Sequence, residues 1–230
     1  MAKARGASDV ETTLARLKRL GSKAFREQMP ARFGIVTKDE TYGVSMAHVQ
    51  KLAKELGRDH DFAAALWASG VYEARMLAVF VEEPARVTAA QMDRWARDFD
   101  NWAVCDTACF KLFDRTPHAW AKGAAWARRR EEFVKRAAFA LLASLALHDK
   151  KADNARFLDL LPLIETAADD DRNFVKKGVN WALRAIGGRN AELKSAAAAV
   201  AEDLAGSDVA SARWIGKDAL KALSKKTRKR

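Results

Sequence analysis

EEFVKRAAFALLASL at residues 131–145 and RNFVKKGVNWALRAI at residues 172–186 share a Phe-Val-Lys followed by a second basic residue, 41 positions apart. In both, apolar residues recur every three or four positions, the period of an α-helix. Two further segments fall into the same register, VYEARMLAVFV at 71–81 and SARWIGKDALKAL at 211–223. Arg75, Arg136, Lys177 and Arg213 then share one equivalent position, with gaps of 61, 41 and 36 residues between them. The first gap has room for one more repeat, and its midpoint falls on Asp106. Paired helices recurring at about 40 residues form an α-solenoid of the HEAT type, in which each second helix lines a concave surface. The expected fold is therefore all-α, an α-solenoid of HEAT-like helical repeats with a concave basic groove. Ordinary amphipathic patterning is the competing explanation, because a basic residue early in a helix is common.

The remainder of the chain supports the all-helical reading. Its four prolines (Pro30, Pro84, Pro117, Pro162) are far apart, and no stretch alternates in the manner of a strand. Helices are expected near 8–29 with a break around Gly21, then 45–57, 59–69, 71–83, 88–98, 100–114, 116–126, 130–147, 151–167, 171–187, 190–205 and 208–223. Residues 30–44, with a proline and two glycines, read as the one sizeable loop, a connector or a lid. Residues 1–223 are expected to form a single repeat domain, followed by the basic tail SKKTRKR at 224–230.

Forty-one Lys and Arg against 30 Asp and Glu leave a net charge of +11, on a chain that is 49% hydrophobic. That combination describes a globular protein with a core, and the charge points to a polyanionic partner or to a merely basic soluble surface. Cys105 and Cys109 stand four apart on one helix, a spacing that does not suit a disulfide framework and fits a reducing compartment. With no histidine near to activate them, they read as small buried apolar residues. The four histidines are scattered, so no metal and no cofactor is expected. The N-terminus lacks the apolar core of a signal peptide, and no run approaches a membrane span. The expectation is a soluble cytoplasmic monomer.

Within DNWAVCDTACF at 100–110, Asp106 interrupts an apolar run, one helical turn after Trp102. If it occupies the position that is basic in the compared segments, one carboxylate faces a groove suited to anions, and it must serve something cationic. Two plainer readings stay open: Asp106 caps a helix beginning at Thr107, or Trp102 is a core residue. Arg136 is a candidate partner for the carboxylate or for a phosphate, and Trp181 for a second aromatic wall.

Over roughly residues 32–223 the sequence resembles the AlkD-type DNA alkylation repair proteins, glycosylases built from HEAT-like repeats. The likeness is clearest in FDNWAVCDTACFKLF, EEFVKRAAFALLASLALHDKKAD and DDDRNFVKKGVNWALRAIGGRN. It implies that Trp102 and Asp106 match the family's tryptophan and catalytic aspartate, Arg136 its active-site arginine and Trp181 its second groove tryptophan. It implies hydrolysis of the N-glycosidic bond of cationic alkylated purines, such as 3-methyladenine and 7-methylguanine, in double-stranded DNA. Arg75, Lys135, Arg136, Lys176, Lys177 and Arg213 are the expected DNA-binding residues. The segment RFGIVTKDETYGVSMAHVQKLAKEL departs from the family's N-terminal pattern, and the family includes members that bind branched DNA with little or no excision. A noncatalytic DNA binder is therefore the second expectation, and a solenoid for an acidic protein partner the third. No pocket that would receive a flipped base is identifiable from the sequence.

Overall fold

A computed structural model describes residues 7–224, so most of the basic tail lies outside the described residues. Among those residues there are fourteen α-helices, one 3₁₀ turn, and no strand beyond an isolated bridge between Glu40 and Val71. The chain divides after Pro117 into two compact units.

The first unit holds α1 (Ala7–Leu20), α2 (Lys23–Phe33), α3 (Met46–Leu56), α4 (His60–Ala68), α5 (Tyr72–Val81), α6 (Ala89–Asp98) and α7 (Trp102–Lys111), ending in a 3₁₀ turn at Phe113–Arg115. Five of these helices start where the sequence supplies a short oxygen-bearing side chain. Ser22, Ser45, Asp59, Thr88 and Asn101 each accept a first-turn N–H, satisfying donors that have no partner within the helix. α5 is apolar on nearly every face and packs on α1, α3, α4 and α7, the arrangement of a helix at the centre of its unit.

Two boundaries differ from the sequence expectation. Pro30 reads as a stop, yet α2 continues through it to Phe33, forgoing the hydrogen bond that a backbone N–H there would give the Arg26 carbonyl. The helix ends instead at Gly34, in the left-handed region at φ 61°, where Gly34 and Ile35 donate to the carbonyls of Pro30 and Met29. The helix expected over 151–167 is two, α10 (Asn154–Leu158) and α11 (Leu161–Ala167), with Pro162 in the first turn of α11, where it is tolerated.

The 34–45 linker is tied down along its length. Glu40 bridges to Gly70 and Tyr72 through backbone bonds. Thr37 Oγ1 and the Lys38 N–H donate to Asp100 Oδ2 at 2.9 and 2.7 Å. The fully buried Glu73 accepts three N–H groups, from Tyr42 at 3.0 Å, Gly43 at 2.7 Å and Val44 at 3.1 Å. A buried carboxylate is tolerable only when caged in this way. Gly43 has φ 78°, and a Cβ there would meet the Ser22 carbonyl oxygen at 2.3 Å, so the turn requires glycine.

The second unit holds α8 (Ala119–Trp126), α9 (Glu132–His148), α10, α11, α12 (Asn173–Gly187), α13 (Ala191–Ala205) and α14 (Ala210–Leu223). α9 packs on α8 and α12, and α12 packs on α13 and α14. α9 has no side-chain cap, but Phe139, Leu141 and Leu142 are fully buried. At about 1.5–3 kcal/mol for each such side chain, packing outweighs the missing cap of about 1 kcal/mol. α12 is two-faced: Val175, Val179, Leu183 and Ile186 are buried, while Lys177 and Arg184 are exposed.

Candidate active site

α7 begins at Trp102, and Asn101 supplies its cap, accepting from the N–H groups of Ala103 and Val104 at 3.1 and 3.0 Å. Asp106 is therefore the fifth residue of a helix already under way, and it caps nothing. Aspartate has poor helix propensity in such a position, so its presence there needs a reason other than local structure. Trp102 is half-buried, and its Nε1 donates to the Phe33 carbonyl at 3.0 Å, which fixes the ring against the end of α2.

Trp102 and Asp106 both line a cavity of about 220 Å³. Its other walls come from α2 (Phe25, Met29, Phe33), the linker (Ile35, Val44), α3 (Met46, Val49) and α5 (Tyr72, Glu73, Met76). The cavity is largely apolar, with two carboxylates on it. Glu73 is committed to the three linker N–H groups, and Asp106 is the half-buried carboxylate on the cavity wall. A carboxylate beside such walls is poorly screened, so its field on a nearby cation is stronger than in water. The cavity is the feature that the sequence did not disclose.

On the neighbouring, core-facing side of α7, Cys105 and Cys109 are fully buried and form no disulfide, as the sequence reading expected. Burial pushes the Cys109 thiol well above its ordinary value, and the hydrogen bond with Cys105 and the charges of Asp106 and Asp114 push it the same way. Cys109 is not a thiolate nucleophile. Among the described residues no group of His, Cys, Asp and Glu is arranged to hold a metal, and no helix is long and apolar enough to cross a membrane.

Arg75, also in the first unit, is buried. Its Nε lies 3.1 Å from Asp39 Oδ2, close enough for an ion pair although the N–H is not aimed for a hydrogen bond. Nη1 donates to the Asp98 carbonyl at 3.2 Å, and the guanidinium lies 5.3 Å from the Trp67 ring centroid. These partners hold the linker and remove Arg75 from the expected row of phosphate ligands. The reason is register: Arg75 is the fourth residue of α5, and the fifth, Met76, is the one that reaches the cavity as Asp106 does. One residue is about 100° of rotation.

The other expected residues belong to the second unit. Arg136 is buried, donates through Nη1 to the Phe174 carbonyl at 2.7 Å, and so ties α9 to α12. Lys135 pairs with Asp170 at 2.9 Å. Asp170 also receives Nε and Nη2 of Arg172, at 2.8 and 2.6 Å, and this hydrogen-bonded guanidinium is the main reason its carboxyl lies well below the usual range. Arg172 in turn donates to the Arg130 carbonyl at 2.7 Å, anchoring the end of the exposed run Arg128–Arg130. That run is legible in the sequence as RRR but stands outside the repeat register. Trp181 is half-buried, one turn beyond the exposed Lys177 on α12. Lys176 lies 5.1 Å from the Trp214 ring centroid, and Arg213 spends Nη1 on the Ser207 carbonyl at 2.6 Å.

A family model described as DNA alkylation repair enzyme matches residues 13–223. The chain belongs to that family. One solved structure that resembles this DNA alkylation repair family member is described as a new family of proteins related to the HEAT-like repeat DNA glycosylases with affinity for branched DNA structures. It is 17% identical, covers 91% of this chain and 93% of its own, and superposes with a TM-score of 0.75. The fold is accordingly an all-α array of HEAT-like repeats. A designed armadillo repeat protein, 16% identical and covering 96% of both chains, aligns with a TM-score of 0.40. Among curated proteins no sequence matches significantly.

Proposed function

We propose that this DNA alkylation repair protein is a monofunctional glycosylase that releases cationic alkylated purines from duplex DNA. The observation that carries the reading is Asp106, a helix-interior carboxylate on an apolar cavity beside the anchored Trp102. A purine alkylated at N3 or N7 already carries positive charge, so the C1′–N bond breaks with its electron pair leaving into the ring, and the base departs neutral. The sugar is left with oxocarbenium character. The Asp106 carboxylate stabilises that cation and orients a water toward C1′. The new C1′–O bond forms as the water's proton passes to the carboxylate or to solvent, leaving an abasic site. Trp102, held by the Phe33 carbonyl, keeps bulk water from one side of the carboxylate.

Within the second unit, Arg136, buried with Nη1 on the Phe174 carbonyl, is proposed as a phosphate contact that trades this bond on binding DNA, and Trp181 as a contact to the sugar-phosphate backbone. The exposed Arg128–Arg130 and Lys177 supply further charge for phosphates. A noncatalytic binder of branched DNA is the second reading, since the structural relative is described by that affinity. Incubation with duplex DNA containing 7-methylguanine, with measurement of free base, decides between them. Release supports the glycosylase; binding to a branched duplex without release supports the second reading. Failure to bind any duplex at low salt sinks both.

A further inference from the structure

Trp214 is an unusual surface residue. It is 40% exposed, one of few large hydrophobic side chains so placed among the described residues, and nothing in the glycosylase reading uses it. It is the fifth residue of α14, the position that Asp106 holds in α7, Arg136 in α9 and Lys177 in α12. The sequence register assigned that place to Arg213, which turns instead to the Ser207 carbonyl.

The helix beneath Trp214 is firmly seated. The Asn180 side chain donates to the Ile215 carbonyl at 3.2 Å, and Ser211 Oγ donates to the Ala168 carbonyl at 2.8 Å. Gly216 lets α14 approach α13 so closely that a Cβ would meet the Ala205 nitrogen at 2.3 Å. The surroundings are basic. The Lys176 ammonium lies 5.1 Å from the ring centroid, the next residue of α12, Lys177, is exposed, and Lys217 and Lys221 are exposed one and two turns along α14. Of the acids near this stretch, Asp218 lies 3.9 Å from Arg184, Asp170 is paired with Lys135 and Arg172, and Asp169, Asp171 and Asp208 precede α12 and α14.

We infer that Trp214 and Lys176 form a stacking platform for an unpaired nucleobase, so that the protein grips single-stranded nucleotides flanking a duplex. An exposed indole offers a π-face, and the lysines neutralise phosphates on either side of it, which is the alternation that a single strand presents. An intact duplex hides its base faces in the stack. An acidic peptide would use the lysines but leaves the ring without a role. The inference rests on the DNA-binding part of the reading above and not on excision.

The test is fluorescence anisotropy with the full chain at fixed ionic strength. Three labelled DNAs are compared: a blunt duplex, the same duplex with a single-stranded thymidine flap, and one whose flap is abasic. The wild type should prefer the thymidine flap over both others. Trp214→Ala should lose about 5- to 100-fold in affinity for that DNA alone, and Trp214→Phe should keep most of it. Equal affinity of wild type and Trp214→Ala for the thymidine flap overturns the proposal. So does an equal loss on the abasic flap, which assigns the residue to phosphates or to folding. A wild type that binds the blunt duplex and releases 7-methylguanine but shows no preference for the thymidine flap refutes the platform and spares the glycosylase.

Discussion

Replacing Glu73 with glutamine tests how the wall of the cavity is held. Glu73 Oε1 accepts from the Gly43 and Val44 N–H groups and Oε2 from that of Tyr42, with no solvent exposure. A glutamine keeps one carbonyl oxygen. With that oxygen at Oε1, two bonds survive as neutral ones, about 1 kcal/mol weaker each, and the amide NH₂ faces the Tyr42 N–H as donor to donor. An orphaned buried donor costs about 1–3 kcal/mol. Against this, a neutral amide avoids the desolvation that a buried carboxylate incurs. Three fixed N–H dipoles already compensate that charge, so the losses win. The net destabilisation should be about 2–4 kcal/mol, and the midpoint of thermal unfolding should fall by about 4–16 °C. Urea denaturation followed by circular dichroism gives the free energy directly, with an unchanged slope. A Glu73→Gln protein as stable as the wild type would refute the reasoning, showing that desolvation outweighs the cage.

Asn101→Ala removes the cap of α7 and should cost about 1–2 kcal/mol in urea denaturation; no change would show that packing alone sets the start of the helix. Because the folded Asp170 carboxyl lies well below its unfolded value of about 4, the stability it contributes is present above that value and is lost as pH falls through the folded one. Stability measured from pH 5 downward should therefore fall less steeply in Asp170→Asn than in the wild type, and identical profiles would dismiss the Lys135–Asp170–Arg172 cluster as a contributor. Arg136→Ala should weaken duplex binding and make the log–log salt slope shallower by about 1; an unchanged slope would leave Arg136 as a tie between α9 and α12.

The helical repeat was legible because it is written in periodicity: Val175, Val179, Leu183 and Ile186 occupy one face of α12, and a capping Ser, Thr, Asp or Asn marks six of the fourteen helix starts among the described residues. Asp106 was legible as an anomaly, a carboxylate in an apolar run. The cavity was not, because residues from three other helices and the linker converge on α7 only once Trp102, Asp100 and Glu73 have pinned 33–44 in place. The row of cations was only half legible. Equivalence to within one residue is enough to align repeats, but at 100° per residue it separates Arg75, spent on Asp39, from a position that reaches the cavity. Exposure itself has no sequence signal at Trp214, which reads as one more core tryptophan.

The central claim, that the Asp106 carboxylate stabilises the departing sugar cation, is tested by single-turnover release of 7-methylguanine from duplex DNA by the wild type and by Asp106→Asn. Asparagine keeps the shape and removes the charge. The account predicts release by the wild type, a loss of at least about 100-fold in the variant, and equal affinity of both for the duplex. Equal release rates from the two proteins would contradict it.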